Sequence, residues 1–177
     1  SSRHSPGVTT TESVPIPAAV TAMAGRGPRW ARWVDTLPAT VSALIERWDL
    51  VIDGPATHGH CSLVAPVRTA DDGAAMLKVG FPDEDSAHEH LALRSWAGDG
   101  AVRLLAADPP IRALLLERLG PEDLNTVTDT EACRIVAGLY GRIHRPPLPQ
   151  ARSLAALVEG WTDDLRRLPR SAPIPRR

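Results

Sequence analysis

This 177-residue chain has two cysteines, one lysine and no long apolar run. Its two cysteines, Cys61 and Cys133, stand far apart. Ser1–Val20 carries Arg3, three prolines and many hydroxyls in place of the apolar core of a signal peptide. Two such thiols fit a reducing cytoplasm and exclude a disulfide scaffold. No stretch of about 20 apolar residues is available to span a bilayer. The net charge of −1 and a pI near 6.6 exclude a global field that would recruit nucleic acid or an anionic membrane.

What the chain does have is 43% hydrophobic residues, enough for one ordinary domain with a core. Nineteen of the 20 basic residues are arginine, so Lys78 is the single ammonium side chain. Lysine is a compact, mobile point charge and arginine a rigid planar fork, so the two are not interchangeable.

Residues 1–15, rich in Ser, Thr and Pro, are expected to form a disordered leader. Residues 16–48 are expected to be helical. Within them Trp30–Trp48 divides into two pieces, Pro38 opening the second and Val41, Leu44, Ile45 and Trp48 sharing one face. Residues 49–119 are strand-rich. Leu50–Ile52 precedes Asp53-Gly-Pro55, the loop His58-Gly-His-Cys-Ser62 and the apolar run Leu63–Val67. Asp71-Asp-Gly73 is a hairpin signal, and Ala74–Val79 is the returning strand. Pro66 implies an edge strand or a bulge. A helix over Pro82–Ala97 and strands over Ala101–Ala106 and Ala113–Leu119 follow, the last two joined at Asp108-Pro-Pro110. Five antiparallel strands with one inserted helix make an α+β layer. After Gly120 the pattern is helical. Ala132, Ile135, Val136, Leu139 and Ile143 line one helix face, and Ser153 caps another helix striped by Leu154, Leu157, Val158, Trp161, Leu165 and Leu168.

Chemistry concentrates at three places. Lys78 sits inside the apolar strand run Ala-Met-Leu-Lys-Val, and Glu89 lies eleven residues on, on the following helix. A strand lysine paired with a helix glutamate is how kinase-like folds aim an ammonium at nucleotide phosphates. Two plainer readings stay open: Ser86-Ala-His-Glu89 fits a capping box, and Lys78 fits an edge-strand gatekeeper. The run Leu114-Leu-Leu-Glu-Arg-Leu-Gly120 ends a buried strand at a change from sheet to helix, where exposed main-chain groups can read a base. A strand followed by an ordinary turn fits it equally.

Taken in order, Arg47-Trp-Asp-Leu, Asp53-Gly-Pro, His58-Gly-His-Cys-Ser-Leu-Val, Met76-Leu-Lys-Val-Gly, His88-Glu-His-Leu-Ala-Leu-Arg and Leu114-Leu-Leu-Glu-Arg-Leu resemble the streptomycin 6-kinase branch of the aminoglycoside phosphotransferases. That group is also described as aminoglycoside/hydroxyurea resistance kinases. The resemblance runs from about Ile16 to the C-terminus. It implies a protein-kinase-like N-terminal lobe over residues 49–119, with a hinge at its end, and the first helices of a C-terminal lobe over 120–177. It implies ATP with magnesium and phosphoryl transfer to an alcohol of a small antibiotic such as the aminoglycoside streptomycin. Lys78 would hold the α- and β-phosphates, and Glu89 would orient it. His58, Gly59, His60 and Ser62 would belong to the loop over the nucleotide, and Glu117 and Leu119 would offer main-chain contacts to adenine.

The chain departs from the kinase pattern in two ways. The loop lacks G-x-G-x-x-G. None of His4, His58, His60, His88, His90 and His144 starts a His-x-Asp-x-x-x-x-Asn catalytic loop, and the Asp that binds magnesium in such enzymes has no counterpart. The catalytic half is therefore expected to lie outside this chain, and no catalytic residue is assigned.

Other readings are weaker. His58, His60 and Cys61 lack a fourth clustered ligand, and His88 and His90, two apart on a helix, point about 200° from each other, so no metal site is assigned. A non-catalytic nucleotide-binding or regulatory module would keep the same lobe without turnover. Arg166, Arg167, Arg170, Arg176 and Arg177 have no stacking aromatics beside them, so no nucleic-acid partner is assigned. The stripe from Leu154 to Leu168 is a possible self-association face.

Overall fold

The computed structural model describes residues 14–151 and 153–169. Contacts divide the chain into two units, residues 1–144 and 145–177.

The first unit is an α+β layer with an antiparallel, six-stranded sheet. A short helix α1 (Ala18–Thr21) and a 3₁₀ turn (Ala22–Arg26) lead into α2 (Pro28–Arg47). Strands β1 (Val51–Ile52), β2 (Thr57–Gly59), β3 (Ser62–Arg68) and β4 (Ala74–Gly80) follow, then α3 (Glu89–Trp96), β5 (Leu104–Asp108), β6 (Ala113–Glu117) and α4 (Asp129–Ile143). The sheet runs β1-β3-β4-β6-β5, with β2 also paired to β3. The sixth strand, beyond the five expected, is β2: the loop at His58 is extended and pairs as Thr57↔Val64, His58↔Leu63 and Gly59↔Ser62.

Three expectations are corrected. Trp30–Trp48 is one helix, opened by Pro28 after Gly27 at φ +136°, with Pro38 inside it. An interior proline costs about 3 kcal/mol. Pro38 is exposed, and the same helix buries Trp33, Val34, Leu37, Val41 and Leu44. Each large apolar side chain buried contributes ~1.5–3 kcal/mol, so the packed face wins. The helix after β4 begins at Glu89, not Pro82. Asp83 Oδ1 accepts from Ser86 N–H at 2.8 Å and the Ser86 hydroxyl donates to Phe81 O at 3.1 Å, bonds that compete with helix. Finally, β3 lies inside the sheet despite Pro66. The Asp53 N–H donates to Pro66 O at 2.9 Å, so the ring nitrogen faces the break between β1 and β2, where no ladder donor is required. Gly54 sits at that break with φ +140°, and a Cβ there would lie 3.2 Å from Pro66 Cγ.

Strand alternation then sorts the two sheet faces. Leu63, Ala65 and Val67 pair with Val79, Leu77 and Ala75, and Ala113 and Leu115 continue those rows. All eight are buried, and most join Val34, Leu37, Val41 and Leu44 of α2 in one core. Trp30, Trp33 and Phe81 close its edge, with the Trp30 and Phe81 rings stacked at 3.6 Å. The opposite face carries Val64, Lys78 and Leu114 in one row and Pro66, Met76 and Leu116 in the next. α4 is tied back to α3 by the Trp96 indole, which donates to Ile143 O at 2.9 Å.

The expected leader falls outside the described residues except for Val14 and Pro15, and Val14 is buried in the core cluster. The second unit contains α5 (Leu154–Arg167), whose Ser153 hydroxyl accepts from Ala156 N–H at 3.1 Å, as a cap should. On it Leu154, Val158, Trp161 and Leu165 are exposed, and Arg166 and Arg167 pair with Asp163 and Asp164. Arg170, Arg176 and Arg177 lie outside the described residues.

Candidate functional site

Lys78 occupies the middle of β4, a strand flanked by β3 and β6, so it is not an edge gatekeeper. Its Nζ lies 2.5 Å from Glu89 Oε1, and the two side chains are 27% and 33% exposed. The capping box does not form: Glu89 is the first residue of α3 rather than its third, no side chain caps that helix, and Ser86 bonds elsewhere. A pair this exposed contributes only ~0–1 kcal/mol to stability. What it does is hold the chain's single ammonium at one place above a half-open sheet face. Val64, Pro66, Met76 and Leu116 on that face are each half-buried, an apolar platform beside the cation.

Glu89→Gln distinguishes orientation from helix capping. On the nucleotide role expected of Lys78, the variant should keep the far-ultraviolet circular dichroism spectrum and lose roughly three- to tenfold in ATP affinity, because a neutral partner gives about half of a charge-assisted hydrogen bond. A titration matching the parent would remove the orienting role.

The β2–β3 connection is a two-residue turn at His60 and Cys61, closed by the Gly59↔Ser62 pair. A Cβ at Gly59 would lie 2.5 Å from the Oγ of buried Ser62, so a larger residue there would have to turn that hydroxyl. His58 Nδ1 lies 3.1 Å from Gly59 O. The carbonyls of the tip are both engaged: Arg26 donates to His60 O at 3.0 Å and the Phe81 N–H to Cys61 O at 2.8 Å. In a trans peptide the N–H points opposite to the C=O, so these bonds turn the Cys61 N–H away from Arg26. Arg26 also lies over the Trp30 ring at 4.8 Å.

At the end of β6 the ladder is interrupted. The Glu117 N–H donates to Arg103 O at 3.0 Å, but the Arg103 N–H donates to the Glu117 carboxylate at 2.7 Å instead of to its carbonyl. The Glu117 carbonyl is thus left out of the exchange that a continued strand would complete. Leu119 follows past the strand end, exposed. Between them, Arg118 folds back toward Asp53, 2.8 Å from its carboxylate. The Arg118 hydrogen bond, aided by Arg68, holds the Asp53 carboxyl below its ordinary value of 3.8 despite an opposing desolvation.

The sign of that shift fixes a pH dependence. A depressed folded value means that the unfolded chain binds the proton more readily. The contribution is full above the ordinary aspartate value and is lost as pH falls through the folded one. The thermal midpoint of the parent should therefore exceed that of Asp53→Asn at pH ~6, and the two should converge as pH falls through the folded value. A constant difference across that window would mean that the charge of Asp53 is not what stabilises.

Lys78 and Glu89 come together, while Glu117 ends β6 with its carboxylate, not its carbonyl, accepting from the Arg103 N–H. His58 and His60 do not converge with Cys61 into a ligand set, and among the described residues no three His, Cys, Asp or Glu side chains gather as a metal site. The sequence reading missed Arg26, the Arg118–Asp53 pair and the apolar platform. Alternation along β3, β4 and β6 could have marked the platform, whereas the arginine contacts span 34 and 65 residues and leave no local pattern.

A five-row antiparallel order with a lysine on an inner strand, a glutamate on the one inserted helix and an interrupted last strand defines the N-terminal lobe of a kinase-like fold. The family model described as aminoglycoside/hydroxyurea antibiotic resistance kinase matches residues 47–171, and the chain belongs to that family. It is 39% identical over 142 residues to a streptomycin 6-kinase of Streptomyces griseus, covering 78% of this chain and 46% of that protein. It is 36% identical over 157 residues to a streptomycin 6-kinase of Streptomyces glaucescens (87% and 51%). It is 42% identical over 139 residues to a hydroxyurea phosphotransferase of Kitasatospora aureofaciens (76% and 41%). The chain spans about half the length of the curated relatives it matches. No solved structure matches. Among the described residues no helix is long and apolar enough to cross a membrane.

Proposed function

We propose that this chain is the nucleotide-holding lobe of an ATP-dependent antibiotic phosphotransferase that acts on an alcohol group of an aminoglycoside such as streptomycin. The observation that carries the reading is the Lys78–Glu89 pair beside the half-buried platform on the open sheet face. The adenine ring would lie on Val64, Met76 and Leu116, its amino group donating to the Glu117 carbonyl and a ring nitrogen accepting from the Leu119 N–H. Lys78 would hold α- and β-phosphate oxygens, with Glu89 fixing the ammonium and the turn at Gly59–Ser62 lying over the phosphates. Magnesium, when bound with ATP, would neutralise phosphate charge; no cluster of described carboxylates is assigned to it. ATP as donor puts the reaction in the cytoplasm.

Calorimetric titration of the chain with ATP and magnesium is the test, and saturable one-to-one binding is expected. No heat of binding at millimolar ATP would sink the reading. With labelled ATP and streptomycin the 177-residue chain should transfer no phosphate, because its sequence holds no His-x-Asp-x-x-x-x-Asn segment. The exposed Leu154, Val158, Trp161 and Leu165 would also make α5 a self-association face. Sedimentation of the chain should show a mass above the monomer, reduced by Trp161→Ser. A clean monomer at tens of micromolar would exclude that face.

A further inference from the structure

We infer that Arg118 and Asp53 form a latch that positions the main chain of the hinge between Glu117 and Leu119, so that these two residues set the affinity of the site for the base rather than for phosphate. The inference rests on the proposed nucleotide reading and assigns a role to two side chains which that reading does not use.

Arg118 is the residue between the two main-chain groups offered to adenine. Its side chain turns back across the ends of three strands. Nη1 donates to Asp53 Oδ2 at 2.8 Å, Nη2 to Val67 O at 2.8 Å and to Ala75 O at 3.2 Å, and Nε to Ala75 O at 3.3 Å. One guanidinium thus joins the hinge to β3, β4 and the residue that follows β1. Carbonyls and a carboxylate only accept, so the site needs several donors in one plane, which arginine has and lysine lacks. Asp53 is held from its own side as well. Its N–H donates to Pro66 O at 2.9 Å, and Arg68 Nε lies 3.5 Å from its carboxylate. Arg118 and Asp53 side chains are 26% and 30% exposed, so the latch rests on the set of hydrogen bonds made by one guanidinium and not on the ion pair alone.

The consequence is orientational. Beyond Glu117 the strand ladder has ended, and the peptide planes of 117–119 would otherwise turn freely. Tethering the Arg118 side chain restricts them without occupying the Glu117 carbonyl or the Leu119 N–H. Pre-ordering of this kind raises affinity by removing the cost of ordering on binding. Because it acts only at the hinge, its loss should be felt by ligands that carry adenine and not by those that carry only phosphates.

The experiment compares the unaltered chain with Arg118→Lys and Asp53→Ala, each titrated with ATP, adenosine and inorganic tripolyphosphate. Asp53→Ala removes the carboxylate and retains the backbone bond to Pro66. Both variants are expected to bind ATP and adenosine about tenfold more weakly. Both should hold tripolyphosphate within about twofold of the parent, their spectra matching in circular dichroism. Equal adenosine affinity in parent and variants would overturn the latch. So would a parallel loss of adenosine and tripolyphosphate, which is what general loosening of the lobe would give. Lys78→Met serves as the opposite control, losing tripolyphosphate while keeping adenosine. If the unaltered chain binds none of the three ligands, the nucleotide reading fails and the latch falls with it.

Discussion

Replacing Lys78 with methionine should weaken ATP binding by about ten- to a hundredfold while leaving the chain folded. Methionine keeps most of the length and apolar stem of lysine and removes only the ammonium. Val64 and Leu114, its register partners on β3 and β4's other neighbour β6, can tolerate that stem on the half-buried face. The loss of affinity follows from one charge-assisted contact to phosphate, worth roughly 1.5–3 kcal/mol. Stability should barely move, since the ion pair with Glu89 is a third exposed and nearly neutral in net energy. The measurement is a pair of calorimetric titrations with matched thermal melts. Equal ATP affinity discards the phosphate role of Lys78. A large fall in thermal midpoint would instead make the pair structural.

Lys78 stood out because a cation interrupted an apolar strand, and Glu89 because a helix followed at a distance that a side chain can bridge. The sheet was legible through alternation in Leu63–Val67 and Ala74–Val79. Pro38 misled because a local rule about prolines met a helix whose buried face is stronger than one lost hydrogen bond. The start of α3 was misplaced because the side chains of Asp83 and Ser86 divert the backbone first. Asp53 carries no local signal beyond its place in Asp53-Gly-Pro55. Its partner Arg118 lies 65 residues away, and pairing at that range is decided by topology, not by neighbours in sequence. The ordered loop tip at His60 has the same origin, since Arg26 comes from a segment that precedes the sheet altogether.

That segment also bears the other large effect expected. Leu37→Ala should destabilise the chain by about 2–5 kcal/mol, the range for removing a fully buried leucine from a packed core. Leu37 is at 0% exposure and belongs to the cluster that joins α2 to Leu63, Val67, Leu77 and Val79. It sits one position before Pro38, in a helix that already lacks one internal hydrogen bond there and depends on its buried face. For a chain of this size each kcal/mol shifts the thermal midpoint by roughly 2–4 °C. The surface control is Leu154→Ala on α5, 72% exposed, which should stay within about 0.5 kcal/mol of the parent in a monomeric sample. Below its transition the Leu37 variant should still bind ATP within about twofold of the parent. The rows that share the core with α2 include Leu63–Val79 and Val67–Ala75, whereas Lys78, Val64 and Met76 belong to the rows of the other face. A variant that melts with the parent would show that α2 is not the cover of the sheet. One that stays folded but loses ATP would show that the two faces are coupled, and that the strands transmit strain from the core row to the row that carries the lysine.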